Sequence, residues 1–283
     1  MNDQKKIVWL ASYPKSGNTW FRAYLSALLN HEGHTVDINH MYSSSIASSR
    51  QLFDELTGIS SADLTSDEIE MLRPQVYRQN ALRSEHTLYY KVHDGWIRLP
   101  DSEPLFPAGV TKAVLYIIRN PLDVAISFSH HLNISVDETI TQMNNPDYTF
   151  CSRKDRIFNQ LPQKLLTWSE HVLSWTVLSQ LPVLVIRYED MLNNPIATFE
   201  QATGFIGLKS GRNDIMQALE QVTFERLKQQ ELQNGFAEKS ARAESFFRKG
   251  IAGEWKTILS EEQVRKITAL HGRVMKTYGY TPD

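Results

Sequence analysis

Four short runs rich in β-branched and aromatic residues punctuate the chain: IVWLA at 7–11, TLYYKV at 87–92, AVLYII at 113–118 and VLVIRY at 183–188. Such runs read as strands buried on both faces. Between the runs the apolar positions follow a helical period. Trp20, Phe21, Tyr24, Leu25, Leu28 and Leu29 recur at i, i+4 and i+8, which predicts a helix. Further helices are predicted to start near Leu122, Leu161, Pro195 and Glu261. Strands alternating with helices give an α/β fold, a central parallel β-sheet flanked by helices. Ligands of such sheets gather at the carboxyl ends of the strands. Two polar stretches, MYSSSIASSR at 41–50 and LKQQELQNGFAEKSARAE at 227–244, read as loops or mobile segments, the second with partial helical character. No internal repeat and no linker divides the chain, so 1–283 reads as a single domain.

Composition narrows the choice of partners. With 41% hydrophobic and 22% charged residues the chain is of ordinary globular type. Its net charge of −2 gives no reason to expect nucleic acid or an anionic membrane, so any polyanion site must be a local cluster. Cys151 is the one cysteine, which excludes an intramolecular disulfide and a cysteine metal cluster and fits a reducing compartment. The apolar run after Lys5 and Lys6 is too short for a signal-peptide core, and no segment reaches the roughly 18 apolar residues of a membrane span. A soluble, cytoplasmic protein is expected.

Candidate chemistry starts at SYPKSGNTW, residues 12–20, between the first strand and the first helix. A helix start offers free backbone N–H groups and a partial positive charge, which suits phosphate. Gly17 lets the backbone approach a ligand, Lys15 adds a full charge, and Asn18 and Thr19 offer side-chain donors. By these features alone, phosphate binding and an ordinary strand–turn–helix stand about even. The common nucleotide loop, G-x-x-x-x-G-K-[ST], places its lysine after the glycine, whereas Lys15 precedes Gly17.

YPKSGNTW instead resembles the 5′-phosphosulfate loop of the PAPS-dependent sulfotransferases, close to YPKSGTTW, with Asn18 as the departure. Three further stretches match in the family's order. LYIIRNPLDVAISF at 115–128 is similar to the 3′-phosphate motif, with Arg119 followed eight residues later by Ser127. WSEHVLSW at 168–175 precedes VIRYEDM at 185–191, like the family's helix and tyrosine-glutamate-aspartate segment. FRKGIAGEWK at 247–256 resembles the RKGxxGDWK signature, with Glu254 in place of aspartate.

The resemblance implies a P-loop-like phosphosulfate loop and the donor 3′-phosphoadenosine 5′-phosphosulfate (PAPS), with 3′-phosphoadenosine 5′-phosphate (PAP) as product. The loop residues Lys15, Ser16, Gly17, Asn18 and Thr19 would hold the 5′ end. Arg119, Ser127, Arg248, Lys249 and the N–H of Gly250 would converge on the 3′-phosphate, with Phe247 beside them. Trp20, Tyr188 and Phe224 would form the adenine slot. Lys15 would meet the charge that develops on the bridging oxygen. KVHDG at 91–95 matches the family's K-x-H pattern, making His93 the general base and Lys91 the partner of the sulfuryl oxygens. Residues two apart in a strand share a face, so both can approach one sulfur. Ser127 takes a second role by the same resemblance, holding a lysine off the sulfate until acceptor arrives.

Other readings were weighed against this one. A nucleotide kinase or P-loop hydrolase would need magnesium ligands and the glycine-before-lysine order. A non-catalytic nucleotide-binding module could dispense with Lys15 or His93, and both are present. Metal chemistry is not expected: His31 and His34 lie in a glycine-containing loop, and His130–His131 has no carboxylate set nearby. The acceptor, a small molecule receiving the group on oxygen or nitrogen, would be shaped by 35–85, 129–160 and 228–246, the last resembling the family's mobile lid. Asp37, Asp54, Glu55, Asp137 and Glu138 in these stretches hint at a polar or cationic acceptor. The family's dimer motif KxxxTVxxxE is poorly matched by KTILSEEQVR at 256–265, which leaves monomer and homodimer open.

Overall fold

The structure is a computed structural model, and it describes residues 5–30, 35–42, 46–152 and 157–281. The expectations placed on His31 and His34 lie outside the described residues.

Four parallel strands form the central sheet in the order β2-β1-β3-β6: β1 Ile7–Ala11, β2 Leu88–Val92, β3 Thr111–Ile118 and β6 Val183–Arg187. A two-stranded antiparallel pair, β4 Thr149–Phe150 and β5 Gln163–Lys164, lies outside it. The apolar runs are continuous because both faces are covered. Ile7, Trp9, Ala11, Tyr90, Val92, Val114, Tyr116 and Ile118 belong to one core cluster, while Val8, Leu10, Tyr89, Ala113, Leu115, Ile117 and Ile186 belong to the other.

The helices are α1 Asn18–Leu29, α2 Arg50–Thr57, α3 Ser66–Arg83, α4 Pro121–Leu132, α5 Val136–Met143, α6 Trp168–Leu173, α7 Tyr188–Asn193, α8 Pro195–Phe205, α9 Arg212–Gln221, α10 Phe224–Asn234, α11 Trp255–Ile258 and α12 Glu261–Thr277. The expected starts near Leu122, Pro195 and Glu261 are met within a residue. The one near Leu161 is not. The chain runs extended through β5, and α6 begins at Trp168, where Thr167 and Glu170 form a capping box. Pro162 and that box together place the start seven residues late. The 227–244 stretch is helical as far as Asn234, where Gly235 at φ 71° ends α10.

Register decides where the chemistry sits. Ala11 lies level with Val92 on one side and Tyr116 on the other, and Ile118 lies level with Arg187. The loop after β1, the His93 segment after β2, Arg119 after β3 and Tyr188 after β6 therefore leave the sheet at one edge.

Candidate active site

At that edge lies a cavity of ≈ 990 Å³. Its lining includes Lys15, Gly17, Asn18, Thr19, Trp20, Lys91, His93, Arg119, Ser127, Tyr188, Phe224, Phe247, Arg248, Lys249 and Gly250, gathered from stretches more than 200 residues apart.

The loop after β1 is held in a shape few residues adopt. Lys15 has φ 67° and Gly17, which caps α1, has φ 104°. A Cβ on Gly17 would stand 2.6 Å from the Tyr188 ring, so this position requires glycine for both conformation and space. Trp20 and Phe21 N–H groups donate to the Gly17 carbonyl, while the N–H groups of the first helical residues face away from the helix body as a ready anion site. Two loop residues differ from expectation. Asn18 Nδ2 donates to the Leu10 carbonyl at 2.7 Å and to Ser12 Oγ at 3.2 Å, so its amide braces β1 instead of offering donors to a phosphate. Ser16 is fully buried and does not line the cavity, which leaves its backbone alone to contribute.

Arg119 ties the two ends of the site together. Its guanidinium donates to the carbonyls of Lys15 (3.0 Å) and Ile251 (2.9 Å) and lies 4.4 Å from the Tyr188 ring centre. Its Nε is buried without a partner, an orphaned donor of the kind a bound anion satisfies. Phe224 packs so closely over Gly250 that a Cβ there would fall 2.3 Å from the ring. Trp20 meets Tyr188 edge-on at 6.2 Å, and both line the cavity together with Phe224. Arg248 and Lys249 both pair with Glu254, the latter at 2.6 Å. Those cations hold Glu254 well down, to about 2, and the carboxylate pre-orients the pair.

His93 sits on the segment that follows β2, and its tautomer is fixed. Its Nδ1–H donates to the Ser12 carbonyl at 2.9 Å, leaving Nε2 with the free lone pair. Burial first, then the charge of Lys91, pushes its pKa well below the ordinary histidine value. The imidazole is therefore neutral and able to accept a proton at neutral pH. The segment itself is clamped. His171 Nε2–H donates to the His93 carbonyl (3.1 Å), with its Nδ1 accepting from Tyr116 (2.7 Å), and Trp175 Nε1–H donates to the Asp94 carbonyl (2.9 Å). The Asp94 carboxylate takes both terminal nitrogens of Arg73 at 2.7 and 2.9 Å, in full burial.

Lys15 Nζ lies 3.8 Å from the centre of the Phe246 ring. Burial, Arg119 and Lys91 lower its pKa to about 7. Sequence reasoning gave no site role to Phe246, Arg22 or Glu238, and weighed His131 only as half of a metal-ligand pair. Arg22 had a legible signal, a charge on the apolar face of the first helix, whereas the other three sit in stretches without a motif. The cavity is lined as well by His131, Tyr148, Phe150, Phe158, Gln160 and Phe246. Asp37, Asp54, Glu55, Asp137 and Glu138 do not line the cavity, whereas the carboxylates of Glu220, Glu238 and Glu254 do. Of the stretches expected to shape the acceptor site, 129–160 and 228–246 contribute lining residues, and 35–85 contributes none among the described residues. Among the described residues no group of three or more His, Cys, Asp or Glu side chains is placed to hold a metal ion, and no helix is long and apolar enough to cross a membrane.

Comparison with known proteins agrees with this geometry. The profile of the Sulfotransferase domain family matches residues 5–279. A flavonol 3-sulfotransferase of Flaveria bidentis is 26% identical over 278 residues, covering 93% of this chain and 80% of the relative. A luciferin sulfotransferase of Photinus pyralis is 25% identical over 269 residues, covering 91% and 68%. Among solved structures, a mouse sulfotransferase complexed with PAP superposes with a TM-score of 0.59 at 20% identity, covering 96% of this chain and 85% of that one. With the family profile spanning nearly the whole chain, this protein belongs to the sulfotransferases and is an enzyme of the PAPS-dependent kind.

Proposed function

We propose that the protein transfers the sulfuryl group of PAPS to a hydroxyl of a small aromatic acceptor, with His93 as general base. The observation that carries this reading is the His93 ring, held by the Ser12 carbonyl so that a neutral Nε2 lines the same cavity as Lys15 and Lys91. The residues fit the donor on three counts: the orphaned Arg119 Nε, the Gly17 turn that a side chain would fill, and the aromatic rings of Trp20, Tyr188 and Phe224 in the cavity lining.

In this mechanism His93 Nε2 takes the hydroxyl proton as the acceptor oxygen forms its bond to sulfur. Lys91 offsets charge on the sulfuryl oxygens. As the bridging S–O bond breaks, its electron pair stays on the 5′-phosphate oxygen, and Lys15 and Thr19 donate hydrogen bonds to the charge that develops there. Such donors act most strongly where charge develops, in a cavity that excludes water. Arg119, Ser127, Arg248, Lys249 and Gly250 anchor the far phosphate and so orient the reacting end. The 235–246 segment serves as the lid. The aromatic walls Tyr148, Phe150 and Phe246 favour a flat phenol over the cationic acceptor suggested by surface acids.

Incubation with radiolabelled PAPS and a panel of phenols, aliphatic alcohols and amines tests the reading. Transfer to phenols is expected, and its loss in His93→Ala by about 10²–10⁴-fold with PAP affinity retained. Near-normal turnover by that variant would remove His93 as the base, and transfer to amines alone would overturn the phenol assignment.

A further inference from the structure

Glu238 has no part in the roles assigned above, yet its carboxylate reaches into the catalytic centre from the 235–246 segment. One oxygen accepts from Lys91 Nζ at 2.8 Å and the other from Arg22 at 2.6 Å. Arg22 stands on α1 and its side chain is fully buried, while the Glu238 side chain remains 24% exposed. A buried guanidinium on the apolar face of a helix is tolerated only with a charge partner. Arg22 therefore works as an anchor that fixes where the Glu238 carboxylate can stand.

The charged and titratable groups around Lys91 come from every element packed on it: Lys15 from the loop after β1, Arg22 from α1, His93 from the end of β2, His131 from α4, Cys151 beyond β4 and Glu238. Glu238 is the carboxylate of this set. Burial and the neighbouring cations favour the neutral amine at Lys91, and Glu238 opposes them. One N–H of the ammonium is used on Glu238, so two remain to point elsewhere.

We propose that Glu238 is a positioning residue for sulfuryl transfer: anchored by Arg22, it holds the Lys91 ammonium charged and aimed at the sulfuryl oxygens, and it does so only while the 235–246 segment lies over the cavity. The proposal rests on the role given to Lys91 under the proposed function. It couples closure of the segment to completion of the charge set, because Lys91 lacks its counter-charge when the segment is withdrawn.

The test compares wild type, Glu238→Gln and Glu238→Asp as full chains, with PAPS, the preferred phenol and PAP. In Glu238→Gln, kcat is expected to fall by about 100-fold, with PAP affinity within about twofold and the basic limb of the kcat–pH profile moved down by about one unit. Glu238→Asp should restore the position of that limb. A second readout needs no turnover: the 13Cε signal of Lys91 in the PAP complex, identified by its loss in Lys91→Arg, should titrate at lower pH in Glu238→Gln. An unmoved basic limb and an unmoved Lys91 titration would overturn the proposal. So would faster turnover with tighter PAPS binding, which would make Glu238 a competitor of the sulfuryl group. If the Lys91 titration moves while Lys91→Met keeps full turnover, the role given to Lys91 fails and the ion-pair arrangement stands.

Discussion

Lys15 shows how one side chain is tuned by where the backbone puts it. The left-handed turn drives its ammonium into a buried space shared with Arg119 and Lys91, and its pKa drops to about 7. A bound phosphate favours the charged form, so PAP binding near neutral pH should be accompanied by proton uptake. Calorimetry of PAP binding in two buffers of different ionisation enthalpy is expected to show it, and Lys15→Met should abolish it. Equal observed enthalpies in both buffers would contradict the assignment. His93 is lowered as well, by burial and by Lys91, which keeps its ring neutral as the proposed base requires. These residues were legible in the sequence because their motifs are contiguous. Asn18 marks the limit of such reading: an amide in a phosphate loop looks like a ligand donor, and only the position of the Leu10 carbonyl shows that it is spent on bracing β1.

The segment after β2 carries His93, the base under the proposed function, and is held from several sides. Its carbonyls are held by His171 and Trp175, and its aspartate by Arg73 of α3. Removing one partner of a buried ion pair leaves an uncompensated charge. Asp94→Ala is therefore expected to cost about 3–5 kcal/mol in denaturant unfolding and to lower kcat through a loosened His93. A loss below about 1 kcal/mol would show that Arg73 finds water or another partner. The clamp gives WSEHVLSW a structural part: His171 and Trp175 hold the carbonyls of His93 and Asp94. At this scale the sequence was read well where periodicity and caps agree, as at α1, α4 and α12. It was read less well around Leu161, where a short apolar stretch carries no helical commitment and the Thr167–Glu170 box sets the start.

Across the whole molecule, several histidines are folded in their neutral state. Burial depresses His171 and His271 to about 4 and His131 to about 3, and it holds His93 well below 6.5. The unfolded chain binds protons at these sites near pH 6.5 and the folded chain does not. Their contribution to stability is thus fully present above about pH 6.5 and is lost as pH falls through the folded values. The melting temperature should decline steadily from pH 7 to pH 4, and a flat profile would mean that these rings are hydrated in the folded state. The sequence by itself determined the alternation of strands and helices and the places of the 12–20 loop, the K-x-H pair and the Arg248–Lys249 pair, since each is written in adjacent residues. The tertiary structure decided what is not adjacent. Strand register brought four loops to one edge, Arg119 joined the first motif to the last, and chain folding set Glu238 against Lys91 and Arg22 and brought Tyr148, Phe150 and Phe246 to the cavity wall. Contacts between residues far apart in sequence depend on how the elements pack, and no local pattern encodes them.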